Sequence, residues 1–275
     1  MPLVQRTEPY PHWAYTHPAT GDQLRLVPER GGLVTGWESG GRERLYFDAA
    51  RFADPALSVR GGIPVLFPIC GGLPDHPLPQ HGFARDQPWS LGLLEDGEGV
   101  RLQLCDGPST LALFPHRFRL SLELCPVPGS LEIKAVVDNT GAELLPFSFG
   151  LHPYFQVSSL ETARIEGLPD QVLDQVSGEQ VPASERLAAL PSGVDLLAEP
   201  SGPVRLVDTA RGEAISLETS APLDLVVVWS DPPRPMVCLE PWSAPRGALL
   251  SGDRLLRLAP GEALVLVTRY RLTPA

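Results

Sequence analysis

Apolar side chains recur at every second position along much of this chain. In Arg117-Phe118-Arg119-Leu120-Ser121-Leu122-Glu123-Leu124 the even-numbered residues form an apolar row, and Leu131 to Asp138 repeats the alternation after Pro126-Val127-Pro128-Gly129-Ser130. A period of two sends successive side chains to opposite faces of a strand, so this pair of runs predicts an antiparallel hairpin. Similar runs occupy 24–28, 44–48, 100–105, 144–149, 204–207, 215–219, 223–229, 236–239 and 263–272, mostly separated by Gly, Pro, Asp or Ser, the residues that build turns. Only 184–190, Ser184-Glu185-Arg186-Leu187-Ala188-Ala189-Leu190, has helix-forming composition, and it is too short for more than about one turn. No fixed-period repeat is visible, which disfavours a propeller or solenoid. The pattern predicts an all-β chain, a large antiparallel β-protein with little helix, forming a single domain over 1–275. Two stretches, 68–88 and 169–203, read as long loops, the kind that carry function in a compact β-domain.

Composition narrows the classes. With 31 Pro and 26 Gly among 275 residues, long helices are excluded, while 43% hydrophobic content supports a substantial core. No run of about 18 uncharged apolar residues exists, so no membrane span is expected. The N-terminal Met1 to Tyr10 segment has no apolar core or small-residue cleavage site, and the chain is expected in the cytoplasm. Cys70, Cys105, Cys125 and Cys238 are isolated, without the paired spacing of zinc or redox sites, so reduced thiols are expected and neither disulfides nor a metal. A net charge of −11 with scattered arginines argues against a nucleic-acid surface. Lys134 is the sole lysine and falls on the polar face of its strand, which removes Schiff-base and P-loop chemistry.

Three segments place acid–base groups at strand ends or in loops: Gln80-His81-Gly82-Phe83-Ala84-Arg85, Leu151-His152-Pro153-Tyr154-Phe155 and Cys238-Leu239-Glu240-Pro241-Trp242. Two imidazoles and a carboxylate suit ring opening of a sugar, which needs a donor opposite an acceptor. Each residue also has a bland reading. His81 is either a ligand group or a surface histidine bonded to a backbone carbonyl; His152, where a buried strand breaks at a proline, is either a tuned acid or a satisfied structural histidine. Glu240 follows an apolar run, with Pro241 expected to end the strand; it is either a partly desolvated base or a gatekeeping charge, and Trp242 offers a flat face for a sugar. Arg60 and Arg85 are either donors to hydroxyls or phosphate, or structural ion-pair partners. Asp195 is either a site residue or a turn-capping aspartate.

The segments Arg60 to Pro68, Gln80 to Arg85, Pro88-Trp89, Leu151 to Phe155, Val226 to Trp229, Cys238 to Trp242 and Ala259 to Glu262 together resemble the aldose 1-epimerase (galactose mutarotase-like) superfamily, within it the branch of glucose-6-phosphate 1-epimerases or hexose-6-phosphate mutarotases. The resemblance covers roughly Arg60 to Leu272. It implies a β-supersandwich with a cleft across one sheet. It also implies that His152 is the catalytic acid, Glu240 the catalytic base and His81 a second, substrate-binding histidine, with Arg60, Gln80, Arg85 and Asp195 contacting substrate. The implied partner is a hexose or hexose 6-phosphate, turned over without a cofactor. Two positions depart from the branch: Ile69-Cys70-Gly71-Gly72 replaces an aromatic and a single glycine, and Leu196 stands where an arginine is common. A non-catalytic carbohydrate-binding protein on the same scaffold is the alternative. A glycosidase fits less well, because it calls for two carboxylates.

Overall fold

The computed structural model describes residues 2–55 and 57–275. Every strand pair in its three main sheets is antiparallel. The first sheet is an N-terminal meander of Leu3–Arg6, His12–Thr16, Gln23–Val27, Leu33–Ser39 and Arg42–Glu43. The second runs in the order Ala163–Glu166, Val204–Asp208, Glu213–Thr219, Ala263–Pro274, Ser130–Asn139, Phe118–Val127, Val100–Cys105, Ser90–Leu93. The third is built around Met236–Trp242, with Leu225–Ser230, Val194–Ala198, Gln171–Asp174 and Glu179–Pro182 on one side and Gly150–Leu151, Tyr154–Gln156 and Val65–Leu66 on the other. Among the described residues the helices are short, none longer than six residues, and none is long and apolar enough to cross a membrane.

The alternation read from the sequence is what joins the sheets. Leu120, Leu122 and Leu124 face the same buried cluster as Leu131, Ile133, Ala135 and Val137 of the neighbouring strand, and that cluster continues into Leu196, Val226, Val228, Val237 and Leu239 of the third sheet and Tyr15, Leu24 and Trp37 of the first. Fully burying each such aliphatic side chain contributes about 1.5–3 kcal/mol, so this shared core holds the sandwich together. The opposite face of the second sheet is a solvated charge ladder, Arg101–Glu123 at 2.7 Å and Glu123–Lys134 at 3.1 Å, worth little for stability.

Four expectations are corrected. The run 44–48 is not a strand; Leu45 and Phe47 make isolated bridges to Phe155 and Gly61. The run 144–149 shortens to Leu145–Phe147. Within 169–203 the chain forms regular elements, Gln171–Asp174, Glu179–Pro182, Ala183–Ala188 and Val194–Ala198; the first two strands make a hairpin and the first also pairs with the last, and the apolar Val172 and Leu196 supply buried side chains. Finally, Pro241 does not end its strand, which continues to Trp242. A proline lacks the N–H a central strand needs, but the ladder to the facing segment skips Leu239 to Pro241, pairing only Tyr154–Gln156 and Gly150 with this strand.

Candidate active site

The third sheet has two unlike faces. Val237 and Leu239 point to the core, so Cys238, Glu240 and Trp242 point to the other side. Cross-strand partners share a face, so Asp195, Trp229, Cys238 and Tyr154 form one row and Leu197, Val227 and Glu240 the next. The pairs Gly150 with Trp242 and Tyr154 with Cys238 belong to one register, which sets His152 opposite Glu240. His152 is anchored from behind, its backbone N–H donating to the Pro64 carbonyl at 2.9 Å. Its ring stacks on Tyr154, centroids 4.8 Å apart and 10° from parallel, and meets Trp229 edge-on at 5.6 Å. This leaves Nδ1 3.4 Å from Glu240 Oε1 but without an aligned hydrogen bond.

The loop at 68–88 closes over this face. His81 adopts φ 66°; its backbone N–H donates to the Gly71 carbonyl at 2.6 Å, and its Nδ1 accepts from the Gly71 N–H at 3.1 Å. Gly82 is forced to be glycine, because a Cβ there would lie 2.1 Å from the Phe67 carbonyl oxygen. Arg85 donates to the Gln80 carbonyl at 2.7 Å. From another loop Arg60 enters beside Trp229, 5.9 Å from its ring, and 3.7 Å from Asp231.

Between these elements lies a cavity of about 180 Å³. His152, Glu240, Arg60, Gln80, His81, Arg85, Asp195 and Trp242, singled out from sequence, all line it. Ser58, Tyr154, Val227, Trp229 and Arg246 line it too. Tyr154 and Trp229 follow from the period-two pattern, two positions from His152 and Val227; Arg246 carries no such signal, reaching the cavity from a loop. His81 is not a surface histidine, being 6% exposed. Trp242 is 1% exposed and spends its indole N–H on Glu240 Oε2 at 3.0 Å, so the half-buried Trp229 is the more open ring. Asp195 is not a turn cap: its Oδ1 accepts from the Gln175 side-chain amide and its Oδ2 from Arg246, each at 2.7 Å.

Burial governs the charge state. Desolvation raises the Glu240 carboxyl well above the usual carboxylate range, against the pull of the Trp242 N–H. Burial, then the cations Arg85, Arg60 and Arg246, pushes His152 down to about 3, and burial with His152 beside it pushes His81 down to about 2. Burial thus shifts both groups toward their uncharged forms, Glu240 upward and His152 downward, because a buried charge costs more than a contact at 3.4 Å returns. Among the described residues, His152, Cys238 and Glu240 are the one trio whose donor atoms could hold a metal ion, lying within 4.8 Å of one another. Burial keeps the Cys238 thiol protonated, which works against the thiolate that a soft metal recruits.

Similar proteins agree with this architecture. The family profile described as Aldose 1-epimerase matches residues 25–271. A Cenchrus ciliaris protein named "Putative glucose-6-phosphate 1-epimerase" is 34% identical over 150 residues, 50% of this chain and 45% of that protein; one of the same name from Escherichia coli K12 is 31% identical over 157 residues, 54% of this chain and 50% of that one. The chain thus spans about half the length of the curated relatives it matches. Among solved structures, the Slr1438 protein of Synechocystis sp. PCC 6803 superposes with a TM-score of 0.90 at 34% identity, covering 96% of both chains. A galactose mutarotase-like protein from Clostridium acetobutylicum shares the fold at 17% identity, with a TM-score of 0.80 over 99% of this chain and 98% of that one. With a family match running almost end to end and a solved relative superposing over nearly its whole length, the chain belongs to the aldose 1-epimerase family.

Proposed function

We propose that this protein interconverts the α and β anomers of a hexose 6-phosphate by acid–base ring opening and closure, with His152 and Glu240 as the proton-transfer pair. The supporting observation is the approach of His152 Nδ1 to Glu240 Oε1, 3.4 Å, in a cavity rich in hydrogen-bonding groups. In opening, ionised Glu240 takes the proton of the anomeric hydroxyl, protonated His152 gives one to the ring oxygen, and the C1–O5 bond breaks to leave an aldehyde. Rotation about C1–C2 presents the other carbonyl face, and closure reverses both transfers. Opening therefore ends with Glu240 protonated and His152 neutral, the direction in which burial shifts both groups. Opening and closure use one proton shared by the pair, and the side chains supply it without a cofactor.

The phosphate follows from charge. Arg60, Arg85 and Arg246 line the cavity against the carboxyl groups of Asp195 and Glu240. Arg85 makes no ion pair among the described residues, donating instead to the Gln80 carbonyl, so cations are left over for an anion. Neutral His81, Gln80 and the Arg246–Asp195 couple remain for hydroxyls, with Trp229 and Trp242 as aromatic wall. The free thiols of Cys70, Cys105, Cys125 and Cys238 suit a reducing cytoplasm.

The test is anomer exchange followed by NMR on freshly dissolved α-glucose 6-phosphate and α-glucose. Exchange above the spontaneous rate, faster for the phosphate ester, is expected. Unchanged exchange on both sugars, with sugar binding retained, would make this a carbohydrate-binding protein.

A further inference from the structure

Both carboxylate oxygens of Asp195 are engaged by donors of the protein itself. Gln175 is fixed to Asp195 twice, by its side chain on Oδ1 at 2.7 Å and by its backbone N–H on the Asp195 carbonyl at 2.8 Å. The second oxygen holds the Arg246 guanidinium at 2.7 Å. The other end of Arg246 is held as well: its stem lies on the bare α-carbon of Gly71, where a Cβ would sit 2.3 Å from Arg246 Cγ and 3.0 Å from Cβ and Cδ. Gly71 is the same residue that clamps His81 through its N–H and carbonyl. A long, half-exposed side chain is thus braced at stem and head, which lowers the ordering cost of using it on a ligand.

We propose that Asp195 is a positioning residue that acts on the sugar through Arg246, and that Arg246, its charge balanced by Asp195, is a specificity-determining donor to ring hydroxyls and not to the phosphate. This rests on the mutarotase reading of the same site. The anion falls to the pair without that balance: among the described residues Arg85 has no ion pair and Arg60 only the loose 3.7 Å contact to Asp231.

A double-mutant cycle tests it, with kcat and KM measured on glucose and glucose 6-phosphate for wild type, Asp195→Ala, Arg246→Ala and the double variant. Each single change is expected to lower kcat/KM about 10- to 100-fold, mainly through KM and equally for both sugars, since one charge-assisted donor is lost. The double variant is expected to be no worse than Arg246→Ala, and Asp195→Asn, which keeps an acceptor oxygen, to recover most of the loss. Multiplying losses, or a loss confined to the phosphorylated sugar, would overturn the inference. A ligand-free crystal structure of Asp195→Ala gives a readout independent of activity: Arg246 is expected to leave its position over Gly71, and an unmoved guanidinium overturns the inference. A wild type that fails to exchange anomers defeats the mutarotase reading instead, and the crystal structure still decides the brace.

Discussion

His152 and Glu240 face each other across one antiparallel register, Nδ1 3.4 Å from Oε1, at the point where the ladder between their strands is interrupted. A continuous strand would hold the same two residues as an ordinary cross-strand pair. The break at His152-Pro153, opposite Leu239-Glu240, frees the segment to be anchored from Pro64 instead, and the two functional groups end at a cavity.

Replacing Glu240 by Gln keeps the shape and the acceptor for the Trp242 indole but removes the base. Anomer exchange is expected to fall by about 10²–10⁴-fold with the fold intact, as read by NMR exchange alongside thermal unfolding.

The same substitution carries a pH signature. Glu240 has its folded pKa raised above an ordinary 4.5, so its contribution to stability is fully present below pH 4.5 and is lost as pH rises toward the folded value. Gln does not titrate, so the variant should gain stability relative to wild type as denaturant melts are moved upward from pH 4.5.

His81 and His152 act in the opposite direction. Both are held neutral, near 2 and 3 against an ordinary 6.5. Their contribution is fully present above pH 6.5 and disappears as pH falls toward 3, because the unfolded chain takes up protons that the folded one refuses. Acid titration should therefore show stability falling as pH drops from 6.5 toward 3 in wild type, and falling less in His81→Gln.

Arg85→Ala should discriminate between substrates. Loss of this cation, which donates to the Gln80 carbonyl and has no ion pair among the described residues, is expected to raise KM for glucose 6-phosphate by about 10- to 100-fold and to leave KM for glucose nearly unchanged, as measured by anomer-exchange kinetics at fixed ionic strength.

Gly82→Ala is expected to destabilise the protein by more than about 1–3 kcal/mol, since the new Cβ would meet the Phe67 carbonyl at 2.1 Å with φ at 73°. Chemical denaturation measures this, and lowered affinity for sugar should accompany it because His81 is the next residue.

Period-two patterning carried much of the fold. The strand Val100–Cys105 and the hairpin of Phe118–Val127 with Ser130–Asn139 are legible because apolar residues recur there at every second position and are buried. The strand through Pro241 was not, because a proline signals an end unless the facing strand is known to be broken. Sequence could bring Asp195 forward but not its partner Arg246, 51 positions away, since nothing local to a loop arginine reports which carboxylate it will meet. The directions in which His152 and Glu240 shift were equally hidden, being set by depth of burial and not by residue type.

The most direct test is a crystal structure of Glu240→Gln with glucose 6-phosphate bound. The account predicts one pyranose between the two residues, its ring oxygen within hydrogen-bond distance of the His152 imidazole, its anomeric hydroxyl against residue 240 and its phosphate on Arg60 and Arg85. A sugar bound with C1 directed away from both side chains would contradict it.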